Sequence, residues 1–353
     1  MHIKLRIKAF VSIGSFIYNY FKWLENPENY AASEVEKFEK LNEAVNYSFH
    51  HNGWFTRKMV LEALKGISVF LNEKELNEFV EKYNVDNKNP KSIALILAGN
   101  IPMVGFHDVL CVILSGNKAL IKVSSQDTLL LTFLLNNAAQ LNPGFGDCFE
   151  FTQRKMENFD AIIATGSDNS SRYFDYYFGK YPHIIRKNRN SIAIISGQES
   201  EENLGKLGDD IFTYYGLGCR NVSKIYVPKN YDLNKIFKAI FPFVWVLDNK
   251  KYYNNYEYYQ TLYMLNKAEL LQNGFINFKE DSGIASPIGV LFYEYYENLN
   301  QLLEDLETKK EKIQCVVSEM SEIKNSVKMG ETQKPTLTDF ADGVDTMLFL
   351  KTL

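Results

Sequence analysis

Apolar positions recur every three or four residues in the first part of the chain, and this spacing changes near residue 90. The spacing predicts amphipathic helices over residues 34–47, 56–71 and 73–83. A polar connector, residues 84–90, follows these helices and ends in proline. We therefore expect residues 1–90 to form a helical segment, with a different architecture beyond it.

The amino terminus has the charge order of a secretory signal, because residues 1–8 are basic and residues 9–17 are apolar. No small residues suited to cleavage follow, so an amphipathic first helix is the better interpretation. The most apolar stretch, residues 93–121, is interrupted by polar residues and proline, and it lacks the roughly 20 apolar residues of a membrane span. We expect no transmembrane segment and a cytoplasmic location.

Short apolar runs separated by turn residues follow from residue 92. Such runs are typical of strands buried on both faces, and they lie at 92–98, 119–123, 148–152, 160–164, 191–196 and 223–227. Helical spacing lies between them, at residues 103–114 and from a predicted N-cap at Ser125 through residue 139. This alternation with short links predicts α/β architecture with parallel sheet. The apolar end of residues 337–353 could return as a further strand.

Composition and charge limit the classes of function. The 353 residues suggest about two domains, and 46% hydrophobic with 23% charged residues is typical of a globular protein. The net charge of −4 (39 basic and 43 acidic side chains) has no basic block, which argues against a nucleic-acid partner. The four cysteines are far apart and the histidines form no cluster, so we expect a reducing compartment, no disulfide framework and no structural metal.

Two predicted strand ends could hold a dinucleotide, although no G-x-G-x-x-G fingerprint follows any predicted strand. At the first, Lys122 and Ser124 could hold a ribose and its 2′-phosphate; a solvated lysine beside a helix cap is the alternative. At the second, the backbone of Thr165, Gly166 and Ser167 could face a pyrophosphate. An ordinary βα turn is the alternative interpretation of the second pattern.

Cys219 is the candidate nucleophile, because the small residues of Gly216–Leu217–Gly218 would let a substrate approach the sulfur and Arg220 could favour the thiolate. An inert packed cysteine is the alternative. Asn100, after the first predicted strand, could donate to an oxyanion together with the Cys219 N–H. An ordinary turn residue is the alternative interpretation of Asn100. The other cysteines, in apolar runs, are expected to pack in the core.

The order A-G-N-I-P, G-N-K-A-L-I-K-V-S, A-T-G-S, S-I-A-I-I and G-L-G-C resembles the aldehyde dehydrogenase superfamily. Residues 94–124 and 330–345 are more narrowly similar to the LuxC-type fatty acyl-CoA reductases. The resemblance spans about residues 90–353. It implies two Rossmann-like α/β domains with an N-terminal helical segment. The expected division is 1–90 helices joined to the cofactor domain, 91–196 nicotinamide-cofactor domain, 197–330 catalytic domain, and 331–353 returning to the other domain or to a partner subunit.

Position by position, the resemblance implies Cys219 as the nucleophile and Asn100 as the oxyanion donor. Lys122 and Ser124 would hold the adenosine ribose, and Gly166 and Ser167, with Thr165 beside them, would face the pyrophosphate of NADPH, with NADH as the alternative cofactor. The segment that carries the water-activating glutamate of hydrolytic relatives reads Arg186–Lys187–Asn188–Arg189–Asn190 here. Lys187 and Arg189 could meet CoA phosphates or be solvated.

Because expelling a thiolate needs no such base, the expected activity is reduction of a fatty acyl-CoA, or of an acyl group on a protein, to an aldehyde through an acyl-enzyme on Cys219. Two alternatives stay open: an aldehyde dehydrogenase that produces an acid, and a non-catalytic homologue that acts as an acyl-transfer partner. A homo-oligomer and an acyl-transfer partner protein are also compatible with the resemblance.

Overall fold

The computed structural model describes residues 1–85, 89–166 and 168–353. Its α-helices are α1 (Ile3–Glu25), α2 (Ala32–His51), α3 (Arg57–Phe70), α4 (Glu73–Tyr83), α5 (Phe106–Leu114), α6 (Leu129–Leu141), α7 (Asp168–Phe178), α8 (Glu201–Phe212), α9 (Asn234–Ala239), α10 (Lys250–Leu265), α11 (Leu299–Glu307) and α12 (Thr346–Lys351). Its strands are β1 (Ser92–Ile96), β2 (Lys118–Lys122), β3 (Phe149–Phe151), β4 (Ala161–Thr165), β5 (His183–Arg186), β6 (Asn190–Ile194), β7 (Val222–Pro228), β8 (Leu271–Gln272), β9 (Asn277–Glu280), β10 (Val290–Tyr296) and β11 (Ile313–Val317).

The chain divides into two compact units. The first consists of residues 1–187 and 336–353, and the second of residues 188–335. The strand at 190–194, which was predicted as part of the cofactor domain, pairs within the sheet of the second unit instead. A buried parallel strand has the same apolar composition in either sheet, so its sequence does not indicate which strands it pairs with.

The amino-terminal helices pack as amphipathic elements in the first unit. The apolar face of α1, with Phe10, Ile13 and Ile17, is fully or almost fully buried. Phe10 makes edge-to-face contacts with Phe106 of α5 and with Phe145, with ring centroids 6.2 and 5.6 Å away. The apolar residues of α1 therefore form one face of the helix, and the rest of the first unit covers this face.

The first sheet is parallel, with the strand order β3-β2-β1-β4-β5. Strand β1 lies at its centre and pairs with β2 and β4, and Ile93, Ala94 and Leu95 of β1 have no exposed surface. The chain extends the sheet in one direction through β2 and β3, and then in the other through β4 and β5. The carboxyl ends of β1 and β4 are therefore a topological switch point, where open α/β sheets form their ligand crevice.

Two helix starts and one short strand of the first unit differ from the sequence prediction. Helix α5 begins at Phe106, not at residue 103, because Met103 has a left-handed φ of 54°. Helix α6 begins at Leu129 after Thr128, and Ser125 is not its N-cap. Strand β5, which was not predicted, has only four residues in the midst of basic and polar ones.

The second sheet has the order β11-β6-β7-β10-β9-β8 and is parallel apart from the β8–β9 pair. Its adjacent strands β6 and β7 contribute Ile192, Ile194 and Tyr226 to a core cluster that also includes Leu302 and Leu306 of α11. The α/β fold class with parallel sheets and a helical amino terminus is therefore confirmed.

The carboxyl-terminal segment ends in helix α12, so the predicted terminal strand is wrong. Asp345 caps this helix by accepting from the Leu348 N–H, a local bond that favours a helix start. Arg186, at the end of β5, donates to the Ala341 carbonyl and to the Thr346 hydroxyl at 2.7 and 2.9 Å. These contacts explain why residues 336–353 belong to the first unit.

Candidate functional site

The carboxyl edge of the first sheet brings the predicted cofactor residues to one side of the unit. Lys122 ends β2 opposite Ile96 of β1, and Ile96 in turn lies opposite Ala164 of β4. Lys122 and Ala164 therefore lie at the same level of the sheet, with about 10 Å between their backbones, since two strand spacings of ~4.8 Å separate them. Thr165 and Gly166 follow Ala164 directly and are half-buried, as are Lys122 and Ser124. Ser167 lies outside the described residues.

The turns after β1 and β2 touch. A Cβ atom on Gly99 would lie 2.5 Å from the Ser124 Oγ and 2.7 Å from its Cβ, so only glycine allows this approach. Asn52, buried at the end of α2, donates from Nδ2 to the Gly99 carbonyl at 2.9 Å. Asn100, the residue after Gly99, is exposed. The structure therefore joins the predicted oxyanion turn to the predicted ribose turn.

Asp127, which was not predicted as a site residue, holds the same two turns together. Its carboxylate accepts from the Met103 N–H at 2.6 Å, and its own N–H donates to the Ser124 carbonyl at 3.0 Å. Burial raises the pKa of Asp127 to about 7, against the opposing effect of the Met103 hydrogen bond. In the sequence, Asp127 is only an acidic residue soon after the end of a predicted strand. Such residues are common in ordinary turns, so the sequence alone did not identify it.

In the second unit, Cys219 lies on a tight turn between α8 and β7. Three consecutive residues in the first half of the turn, Tyr214, Tyr215 and Gly216, have left-handed φ values of 54°, 58° and 80°. For residues other than glycine this conformation costs on the order of 1–2 kcal/mol each. Cys219 itself is half-buried. The thiol is therefore on a strained turn and is not enclosed in the core.

The buried amide of Asn221 connects both sides of this turn. Its Oδ1 accepts from the Gly218 N–H at 2.8 Å, while its Nδ2 donates to the carbonyl oxygens of Asp210 and Thr213 at 3.0 and 2.8 Å. The carbonyl of Cys219 accepts from the Ser191 hydroxyl at 3.1 Å. The backbone of the cysteine is thus held between the end of α8 and strand β6.

Asp210 and Thr332 form a second set of buried contacts beside the turn. The Asp210 carboxylate accepts from the Gly330 and Thr332 N–H groups and from the Thr332 hydroxyl, at 2.7, 3.0 and 2.8 Å. Burial raises the pKa of Asp210 to about 6, although these hydrogen bonds oppose the shift. The Thr332 carbonyl accepts from Arg220 Nε at 2.5 Å.

Neither Asp210 nor Thr332 was predicted as a site residue, because the two are 122 positions apart in the chain. Asn221 was also missed, since an asparagine in a turn is common.

The remaining cysteines are buried, unlike Cys219. Cys111 lies inside α5, Cys148 next to β3 and Cys315 in β11, each less than a tenth exposed. Burial raises the pKa of the Cys111 thiol well above its ordinary value and also raises that of Cys148. A protonated, enclosed thiol is a poor nucleophile, so Cys219 is the best placed of the four.

Arg186, for which the resemblance implies the position of the hydrolytic glutamate, is 4% exposed and forms a bidentate ion pair with Asp108 of α5. The two N–O distances are 2.6 and 3.1 Å. Burial raises the pKa of Asp108, but the charge and hydrogen bonds of Arg186 outweigh this effect and hold the pKa below its usual value. Arg186 therefore stabilises packing within the first unit. Lys187 is exposed and Arg189 is half-buried.

In the described parts of the chain, no helix combines the length and apolar character needed to cross a membrane. The same residues contain no group of three or more metal-ligating side chains.

Several solved structures have a similar fold. Aldehyde dehydrogenase 21 from Physcomitrella patens, in complex with succinate, matches with a TM-score of 0.63 and 13% identity over 91% of this chain and 74% of its own. A mutant of the AldA indole-3-acetaldehyde dehydrogenase from P. syringae, in complex with NAD⁺ and IAA, matches with a TM-score of 0.62 and 11% identity over 92% and 74%. At such identities the likeness shows the fold alone.

Sequence comparison adds the family. The long-chain acyl-protein thioester reductase of Aliivibrio fischeri is 25% identical over 153 residues, a stretch that spans 39% of this chain and 32% of that relative. The family model described as "Acyl-CoA reductase (LuxC)" matches residues 12–237, which include both Asn100 and Cys219. On an aldehyde dehydrogenase-like fold, the chain belongs to the LuxC family of acyl-CoA reductases.

Proposed function

We propose that the protein reduces a fatty acyl thioester, carried on CoA or on a protein, to the aldehyde through an acyl-enzyme on Cys219. The observation that carries this proposal is the half-buried Cys219 on a strained turn held by buried hydrogen bonds, within the stretch that matches the family. Strained backbone of this kind persists where the surrounding structure fixes it, often at active sites.

The acylation step requires only a thiolate and a leaving group. The Cys219 sulfur forms a bond to the acyl carbon, and the bond between that carbon and the donor sulfur breaks, so that the donor leaves as a thiolate. This departure needs no general acid or water-activating base. The absence of the hydrolytic glutamate, with Arg186 paired to Asp108 instead, favours acyl transfer and reduction over hydrolysis to an acid.

The carboxyl edge of the first sheet supports the proposed site for a nicotinamide dinucleotide. Lys122, Ser124, Thr165 and Gly166 are half-buried at the switch point, so their polar groups can reach a ligand there. The cofactor supplies hydride when bound. In this proposal Lys122 and Ser124 bind the adenosine ribose, Thr165 and Gly166 (with Ser167) face the pyrophosphate, and Asn100 donates to the oxyanion of the acyl group. The aldehyde then departs and Cys219 returns to the thiolate.

The function is tested by Cys219→Ala. With radiolabelled long-chain acyl-CoA, we expect wild-type protein to retain label that neutral hydroxylamine releases, and C219A to retain none and to consume no NADPH. The control is Cys148→Ala, which removes a buried thiol of the first unit and is expected to label normally. Retention of label by C219A would reject Cys219 as the nucleophile. Steady oxidation of an aldehyde with NAD⁺ in the absence of CoA would instead favour the dehydrogenase alternative.

The preference for NADPH is assigned to the Lys122 ammonium opposite a 2′-phosphate. We expect Lys122→Gln to raise the Kd for NADPH about 10-fold and that for NADH by less than about 3-fold, since one charge-assisted contact is worth ~1.4 kcal/mol or somewhat more. The matched control is Lys118→Gln at the other end of β2, where the lysine pairs with Glu150 at 2.8 Å. Cofactor fluorescence measures both constants. An equal loss for the two cofactors would contradict the assignment.

A further inference from the structure

Residues 330–335, which the proposed function leaves without a role, are attached to the cysteine turn through buried contacts. Asp210 and Thr332 have no exposed surface. Two donors of Thr332, its N–H and its hydroxyl, bind the same Asp210 oxygen at 3.0 and 2.8 Å. The carbonyl of Thr332 then accepts from Arg220 Nε, and Arg220 is the residue directly after Cys219.

The same aspartate is connected to the turn from its other side. The backbone carbonyl of Asp210 accepts from Asn221 Nδ2 at 3.0 Å, and Asn221 follows Arg220. A closed ring of contacts therefore runs from Asp210 through Thr332, Arg220 and Asn221 back to Asp210. Cys219 lies immediately outside this ring, joined to it by the peptide bond to Arg220.

The turn needs such support, because its conformation is unfavourable by itself. Tyr214 and Tyr215 are both left-handed, and Asn221 Nδ2 donates to Thr213, the residue before them. Without a fixed frame, a turn of this kind would relax to more ordinary backbone angles and carry the sulfur with it.

We propose that Asp210, Thr332 and Asn221 are positioning residues that fix the direction of the Cys219 thiol for attack on the thioester. This inference rests on the proposed function for the reaction, but the ring of contacts exists within the second unit alone. A displacement of about 1 Å can reduce the rate of a well-oriented reaction about 100-fold. Loss of one contact of the ring should therefore slow acylation much more than it affects folding.

The test compares Thr332→Val with Thr332→Ser. Valine has nearly the same shape but lacks the hydroxyl that donates to Asp210, whereas serine keeps it. We expect T332V to form the acyl-enzyme at least about 10-fold more slowly than wild type, and T332S to remain within about 3-fold. NADPH affinity, which depends on the first unit in the proposed function, should be unchanged in both. Thermal unfolding verifies that both variants are folded.

A wild-type rate in T332V would overturn the proposal, and so would an equal loss in T332S, because the hydroxyl would then not be the cause. If T332V does not fold, Arg220→Lys keeps the charge beside Cys219 but removes the Nε donor, and a slower acylation is expected from it as well. An unchanged acylation rate in R220K would overturn the proposal in that case.

A second readout separates this inference from the proposed function. Alkylation of Cys219 by iodoacetamide, followed by mass spectrometry of the peptide, reports the presentation of the thiol without any substrate. If wild-type protein forms no acyl-enzyme, the proposed function fails. A change in Cys219 alkylation in T332V, restored in T332S, would still support the positioning role. Identical alkylation in all three proteins would reject it.

Discussion

Two buried aspartates hold the turns of the candidate site, and neither has a cation as its direct partner in the contacts described above. Asp127 accepts from the Met103 N–H, and Asp210 accepts from Gly330 and Thr332. Burial raises the pKa of each, to about 7 for Asp127 and about 6 for Asp210, because the charged form loses its hydration. Both carboxyl groups therefore keep their proton to a higher pH than an ordinary aspartate does.

Asp127 provides a prediction for stability against pH. Its folded-state pKa of about 7 exceeds the ordinary value of 3.8, so the folded state binds its proton more tightly than the unfolded state. The stability from this group is fully present below the unfolded pKa and is lost as pH rises through the folded pKa. The amide in the Asp127→Asn variant would keep an oxygen for the Met103 N–H and would not ionise.

We therefore expect the free energy of unfolding of D127N, relative to wild type, to rise between pH 4 and pH 8 by up to ~4 kcal/mol, at ~1.4 kcal/mol per pKa unit. Urea unfolding followed by circular dichroism at several pH values measures this difference. The exposed Asp147→Asn is the control, and its difference from wild type should not change in this way. A D127N difference that is flat with pH would contradict the shifted pKa.

At the scale of elements, the close approach of α1 to the end of α3 depends on a glycine. A Cβ atom on Gly14 of α1 would overlap the Leu71 carbonyl oxygen and lie 2.7 Å from the Leu71 Cβ. Because backbone atoms cannot move aside as a side chain can, Gly14→Ala should force the two helices apart. We expect G14A to lower the free energy of unfolding by about 1–3 kcal/mol.

Gly66 of α3 is the matched control, since a Cβ atom there would meet nothing within 4 Å. Gly66→Ala should raise the free energy of unfolding by about 0.5–1 kcal/mol, through the better helix propensity of alanine. Chemical denaturation of the two variants in parallel measures both effects. Equal shifts in the two variants would show that propensity, and not helix contact, controls Gly14.

The elements that the sequence predicted well are those with a strong local pattern. Helices α2, α3 and α4 and strands β1, β2 and β4 were predicted within a few residues of their observed ends. Helices α5 and α6 begin later than predicted, because the turns that precede them are held together by the hydrogen bond from the Met103 N–H to Asp127. The tail was wrongly predicted as a strand, since its apolar residues suit either structure and the cap at Asp345 decides for a helix.

For the whole molecule, the division into two units predicts where each ligand acts. In the proposed function, NADPH contacts the turns at 97–102 and 122–128 and residues 165–166, and the acyl group is attached in the turn at 213–222. We expect NADPH to slow amide hydrogen exchange most in the first set of turns, and acylation of Cys219 to slow it most in the second. Exchange followed by mass spectrometry distinguishes them, with C219A as the control that responds only to NADPH.

If NADPH gave its largest protection within residues 188–335, the assignment of the adenosine site to the first sheet would be wrong. The protection from exchange should increase with NADPH concentration until the site is saturated. Binding should stabilise the folded protein by about 2.7 kcal/mol at an NADPH concentration 100 times the Kd.

The sequence by itself determined the α/β class, the helical amino terminus, the family and the choice of Cys219 as candidate nucleophile. These follow from periodicity and from short motifs, which are properties of neighbouring residues. Only the tertiary structure decided that the 190–194 strand joins the second sheet, that Arg186 is buried against Asp108, and that Asp210 and Thr332 meet beside Cys219. Asp210 and Thr332, for example, are 122 positions apart, and a local sequence pattern does not indicate which distant residue will pair with a buried polar group.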